Sequence, residues 1–167
     1  GKNVYLNLAK HYAAAEKNNQ TPNTPNVNLF WALDVALDNA LADGGVEARV
    51  ARYKECAGIL RKGMQDMGLK LLLDDEEKMA STVTSVFLPE GRDLKQFLVG
   101  LEAKGYVVYS GKGKYEEMGM FQVANMGEIY PEDCYEFLEV LKSVIALICY
   151  DKKLIICVDI SIYNTCK

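Results

Sequence analysis

Two threonine hydroxyls are set by two prolines in the stretch Gln20-Thr21-Pro22-Asn23-Thr24-Pro25-Asn26. Each proline fixes its own φ and holds the threonine before it extended. The stretch interrupts one helix-forming segment, Leu6–Lys17, and opens another, Leu29–Leu41. A stiff loop bearing hydroxyls at a helix start suits an anion. The first turn of a helix carries free N–H groups and the positive end of the dipole. The plainer alternative is that Asn26 or Asn28 caps the second helix while the prolines end the first. The residue types alone leave both open.

Other chemistries find less support. The single histidine, His11, has no cysteine or histidine beside it in sequence, so a metal site is not expected. The five cysteines are Cys56, Cys134, Cys149, Cys157 and Cys166, an odd set without a CxxC pair. With no signal peptide, they read as free thiols in a reducing compartment, the cytoplasm. A net charge of −4 with no basic cluster argues against a nucleic-acid partner. No stretch is long and apolar enough to span a membrane, and no internal repeat occurs.

These groups must be positioned by a chain of 167 residues, half of them apolar, enough for one domain or one domain and part of another. Leu29, Phe30, Leu33, Ala36, Leu37, Ala40 and Leu41 recur at helical spacing, and Asp43-Gly44-Gly45 ends that helix. A second helix is expected over Val46–Met67. Val50, Tyr53, Ala57, Leu60 and Met64 make its apolar face, and Glu47, Arg49, Arg52, Lys54, Glu55, Arg61 and Lys62 make a solvated one.

The period then shortens. Leu69–Leu73 predicts a short strand, Asp74–Lys78 a charged turn, and Thr82–Leu88 an alternating, β-branched strand. Asp93 is placed to cap a helix from Leu94 to about Lys104, which Gly105 ends. Strands follow at Tyr106–Tyr109 and Met120–Asn125, separated by a glycine- and lysine-bearing loop. Pro131-Glu132-Asp133 opens a helix running to about Ile148. The order from residue 46 predicts an α+β layer, a mainly antiparallel sheet with helices on one face. The run Leu154–Ile162 could add an edge strand or stand apart from the rest.

In this order the segments resemble one family. The Thr-Pro loop, the Gly-Gly break, Thr82-Val83-Thr84, Gly105-Tyr106-Val107-Val108-Tyr109-Ser110-Gly111-Lys112 and Phe121-Gln122-Val123-Ala124-Asn125-Met126-Gly127 look like the C-terminal part of class V, fold-type I, pyridoxal-phosphate aminotransferases. The resemblance leans toward the 2-aminoethylphosphonate–pyruvate and alanine–glyoxylate branches and covers roughly residues 1–148. It implies that residues 1–43 end the large cofactor-binding domain, 44–148 form the small domain, and 149–167 are an atypical tail.

The resemblance also implies an activity and its parts. The activity is transfer of an amino group between 2-aminoethylphosphonate, or a small amino acid, and pyruvate or glyoxylate, by a homodimer with pyridoxal phosphate. The family's cofactor lysine and the aspartate facing the pyridine nitrogen lie upstream of the Thr-Pro loop. Lys2, Lys10 and Lys17 lie in or beside a helical pattern and do not match that lysine, and the chain begins at Gly1 without a methionine. The expectation is therefore a C-terminal fragment, inactive by itself and with no catalytic residue of its own. Thr24, with Thr21 second, matches the threonine that binds the cofactor phosphate of the other subunit. Gln122 stands where the family has an arginine for the substrate carboxylate. It offers one neutral amide in place of a charged fork, so Lys112, Lys114 or Arg92 would have to supply a cation, or the substrate differs, or activity is lost. A stand-alone, non-catalytic ligand-binding or dimerisation module is the alternative.

Overall fold

The computed structural model describes residues 3–163, with side chains through Leu147. The chain divides into two compact units, 1–46 and 47–167.

The first unit holds two helices. In α1, Leu8–Asn18, Asn7 caps the start by accepting from the Lys10 amide at 3.2 Å, and Asn19 ends it at a positive φ of 49°. The Thr-Pro loop follows, then α2, Val27–Ala42, capped by Asn26, whose side chain accepts from the Leu29 amide at 3.3 Å. No residue of either helix is buried. α2 ends at Ala42, before Gly44 and Gly45, both of which take positive φ.

The second unit is a four-stranded antiparallel sheet of order β1-β2-β4-β3. It is built from most of α3 (Gly45–Asp66), then β1 (Lys70–Leu71), β2 (Val83–Phe87), α4 (Leu94–Glu102), β3 (Tyr109–Ser110), α5 (Lys114–Glu117), β4 (Met120–Ala124) and α6 (Pro131–Tyr163). The helices line up as expected because their caps do. Asp93 accepts from the Lys95 and Gln96 amides at 2.8 and 3.2 Å. Leu60 and Met64 of α3, Phe97 and Leu101 of α4, and Phe137 and Leu141 of α6 close over Val86 and Phe121 of the sheet. Phe97 and Phe121 stack with ring centroids 4.7 Å apart.

Several expectations change here. β3 is only Tyr109–Ser110, because Tyr106–Val108 leave the sheet. The Tyr106 amide donates to Leu101 O, closing the end of α4, and its ring stands 5.4 Å from Phe137. Part of the predicted solvated face of α3 is not solvated. Arg61 is buried, its Nε donating to Thr84 Oγ1 at 3.2 Å and its other nitrogens bonded to Glu76 and Ala80 O. It thereby ties the 3-10 turn Glu76–Lys78 to the sheet. Nor does Leu154–Ile162 form an edge strand. With no glycine or proline after Pro131 to stop it, α6 continues through Tyr163.

Candidate functional site

In the Thr-Pro loop the two threonines differ. Thr21 Oγ1 donates to Asn23 O at 2.7 Å, a bond that folds the loop on itself. Thr24 is exposed, one residue before Pro25. The amides at the start of α2 are largely engaged: Val27 N donates to Pro25 O at 3.0 Å and Leu29 N to Asn26. Capping by Asn26 is therefore what the loop does for the helix, and helix amides add little to an anion site.

In the second unit, β4 alternates. Phe121 and Val123 enter the core, so Gln122 lies on the sheet face away from the helices. It is half-buried, and its Nε2 donates to Ser85 Oγ at 3.1 Å. The loop carrying Lys112 and Lys114 folds over the same strand, where a Cβ on Gly111 would come within 2.9 Å of Met120. Both lysines are exposed, and Lys114 Nζ stands 5.4 Å from the Tyr115 ring. Arg92 is half-buried in the turn after β2, its amide donating to Pro89 O at 3.3 Å.

The end of β4 is clamped to α3. Asn125 is fully buried, and its Nδ2 donates to Tyr53 O at 3.1 Å and Ser81 O at 3.0 Å. The Gly127 amide donates to the Tyr53 hydroxyl at 3.0 Å, and Arg52 Nη2 donates to Gly127 O at 3.1 Å. The Arg52 guanidinium also lies 4.5 Å from the Tyr130 ring centroid. These bonds fix the strand on which Gln122 sits. Where Tyr106–Val108 leave the sheet, a cavity of about 180 Å³ opens beside β4, reaching Cys134 and Phe137. Burial, with a hydrogen bond to Cys56 next, pushes the Cys134 thiol up to about 12. Burial also raises the Tyr106 phenol, with Glu136 adding to it.

Sequence reasoning did not find Ser85, Asn125 or the Arg52–Tyr53 clamp. Ser85 is one polar residue in a β-branched strand, and only the pairing register sets it against Gln122.

Compared with known proteins, no family model matches the chain. Relatives do. A 2-aminoethylphosphonate–pyruvate transaminase from Phocaeicola vulgatus is 34% identical over 145 residues, which is 86% of this chain and 39% of that protein. One from Bacteroides fragilis is 38% identical over 121 residues, covering 72% of this chain and 33% of that protein. The solved structure of pyridoxamine–pyruvate aminotransferase from Mesorhizobium loti superposes with a TM-score of 0.68 at 28% identity, over 78% of this chain and 33% of that one.

The chain is homologous to the C-terminal part of fold-type I aminotransferases. It spans between a third and two fifths of the length of these relatives. The α+β unit described above is the small C-terminal domain of that fold.

Proposed function

We propose that the protein to which this chain belongs is a pyridoxal-phosphate-dependent aminotransferase, acting between 2-aminoethylphosphonate or a small amino acid and pyruvate or glyoxylate. What carries the reading is the 34% identity to a 2-aminoethylphosphonate–pyruvate transaminase along 86% of this chain, on a matching fold. When bound, the cofactor supplies the electron sink for amino-group transfer.

This chain's own part is to hold and to position. Thr24 would hold the cofactor, its exposed hydroxyl donating to a phosphate oxygen from the other subunit of a homodimer. Thr21 would first have to give up its bond to Asn23 O, which makes it the lesser donor. Gln122 faces the substrate with a neutral amide, and the Asn125 and Arg52–Tyr53 clamp holds its strand in place. The small domain closes over the substrate and excludes water. The free thiols of Cys56 and Cys134 suit the cytoplasm. Among the described residues no helix is long and apolar enough to cross a membrane.

The test is alanine formation from pyruvate by an aminotransferase carrying this chain as its C-terminal part. 2-Aminoethylphosphonate and a panel of small amino acids serve as donors. Alanine formed at a donor-dependent rate supports the reading. A folded, cofactor-loaded protein that aminates neither pyruvate nor glyoxylate from any donor refutes it.

A further inference from the structure

Cys56 of α3 and Cys134 of α6 lie 78 positions apart in the chain and meet in the core, at 0 and 2% exposure. They are in polar contact there. The Cys134 thiol is hydrogen-bonded to Cys56, whose Sγ in turn donates to Ile129 O at 3.6 Å. Such contact leaves the two sulfurs one short approach from the disulfide bond length of about 2 Å.

The pair is not sealed from outside. The cavity of about 180 Å³ beside β4 has Cys134 in its wall, and Cys56 is not among its lining residues. Leu60, Val108, Val123, Ile129 and Phe137 make much of the rest of that wall. An ion would lose its water on entering such a space, so the cavity favours small uncharged molecules.

We propose that Cys56 and Cys134 form a dithiol–disulfide site, oxidised by small uncharged hydroperoxides that enter through this cavity. The Cys134 sulfur attacks one peroxide oxygen, and the O–O bond breaks. The other oxygen leaves as water or an alcohol with the proton that Cys134 gives up, and Cys134 becomes a sulfenic acid. The Cys56 sulfur then attacks the sulfenic sulfur, the S–O bond breaks, and the hydroxide leaves as water with the Cys56 proton. The two sulfurs together lose two electrons, which the peroxide gains. Burial keeps nearly all of Cys134 in the unreactive thiol form, so the site answers sustained oxidant rather than a trace of it. The new bond fastens α3 to α6 and closes a long loop, which constrains the unfolded chain. Reducing thiols reverse it by exchange.

Hydrogen peroxide is the probe. The protein is the 167-residue chain with Cys149→Ser, Cys157→Ser and Cys166→Ser, so that only the buried pair can react. After treatment without denaturant, non-reducing peptide mapping should join Cys56 to Cys134 within one chain, and the free-thiol count should fall from two to none. The urea midpoint by circular dichroism should rise. Dithiothreitol should restore both thiols and lower the midpoint again, which oxidised methionines would not do. In Cys56→Ala, Cys134 should stop at the sulfenic acid and be captured by dimedone. In Cys134→Ala, Cys56 should stay reduced. Circular dichroism checks that each variant is folded.

A folded chain that keeps both thiols free, or oxidises them without joining them, would overturn the proposal. So would a bond that forms only at urea concentrations that unfold the chain. Dimedone captured by Cys56 in Cys134→Ala would overturn entry at Cys134. A bond that leaves the urea midpoint unchanged would overturn the fastening of α3 to α6.

Discussion

A thiol next to a thiol has little use for its charge when both are buried. Cys134 sits in the first turn of α6, in the core with Cys56, whose Sγ donates to Ile129 O at 3.6 Å. Burial holds its proton to about 12, against an ordinary 9.0. The linkage has a definite sign. Below pH 9 the thiol is protonated in folded and unfolded chains alike, and its contribution to stability is fully present. Between 9 and about 12 the unfolded chain has released the proton and the folded one has not, so stability falls as pH rises. Urea unfolding at about pH 8 and about pH 10.5 should show a loss on the order of 1–2 kcal/mol from this group. Cys134→Ala should remove that share of the slope whatever it does to stability at neutral pH. An identical slope in both proteins would show that Cys134 ionises normally in the fold. Nothing in the spacing of the five cysteines marked Cys56 and Cys134 as neighbours. They lie on helices 78 positions apart, and only tertiary packing joins them.

At the scale of elements, α3 and α6 approach closely because of one glycine. A Cβ built at Gly63 would lie 2.3 Å from a methyl of Leu138. Gly63→Ala gains helix propensity, worth about 1 kcal/mol at an exposed site. Here the clash should outweigh it and destabilise the fold by about 1–3 kcal/mol, the usual cost of overpacking. Because the obstacle is a side chain and not backbone, Leu138→Ala combined with Gly63→Ala should cost less than the sum of the two single changes. Additive single costs, measured by chemical denaturation, would mean that the helices separate rather than clash.

The elements were largely legible where local chemistry decides them. Asp93, Asn26 and Pro131 began helices as their types require, and Val83–Phe87 paired as its alternation requires. Elements were misread where a distant partner decides. Tyr106 has a strand-like neighbourhood, but the end of α4 and the Phe137 ring take it out of the sheet. Arg61 sits among charges in sequence, and its burial depends on Thr84 and Glu76 being brought to it. For the candidate site, Gln122 was legible as an odd residue in a known setting. Ser85 and Asn125 were not, since their roles exist only across strand pairing and across the contact of β4 with α3.

For the whole molecule, the first unit sets the behaviour in solution. Leu29, Phe30, Trp31 and Leu33 of α2 are 65, 66, 70 and 55% exposed. Helices apolar around most of their circumference belong in an interior, and exposed apolar patches of this kind drive association. The purified chain should therefore self-associate, with a mass by light scattering that rises with concentration. Replacing Leu29, Phe30, Leu33 and Leu37 by glutamine should lower that mass and leave the circular dichroism of the second unit in place. A chain that stays monomeric at high concentration without these changes would contradict the expectation that α2 packs against protein surface.

The most direct test joins this chain to a relative. It replaces the matching C-terminal segment of the Phocaeicola vulgatus transaminase, which is 34% identical to it over 145 residues. Retention of pyridoxal phosphate is then measured with Thr24 intact and as Thr24→Ala. The account predicts a folded chimera that binds the cofactor, with Thr24→Ala weakening binding by about 10- to 100-fold, the worth of one hydrogen bond to a charged phosphate. Thr21→Ala should have the smaller effect. A folded chimera that holds the cofactor equally well with and without the Thr24 hydroxyl would contradict the assignment of the Thr-Pro loop to the cofactor.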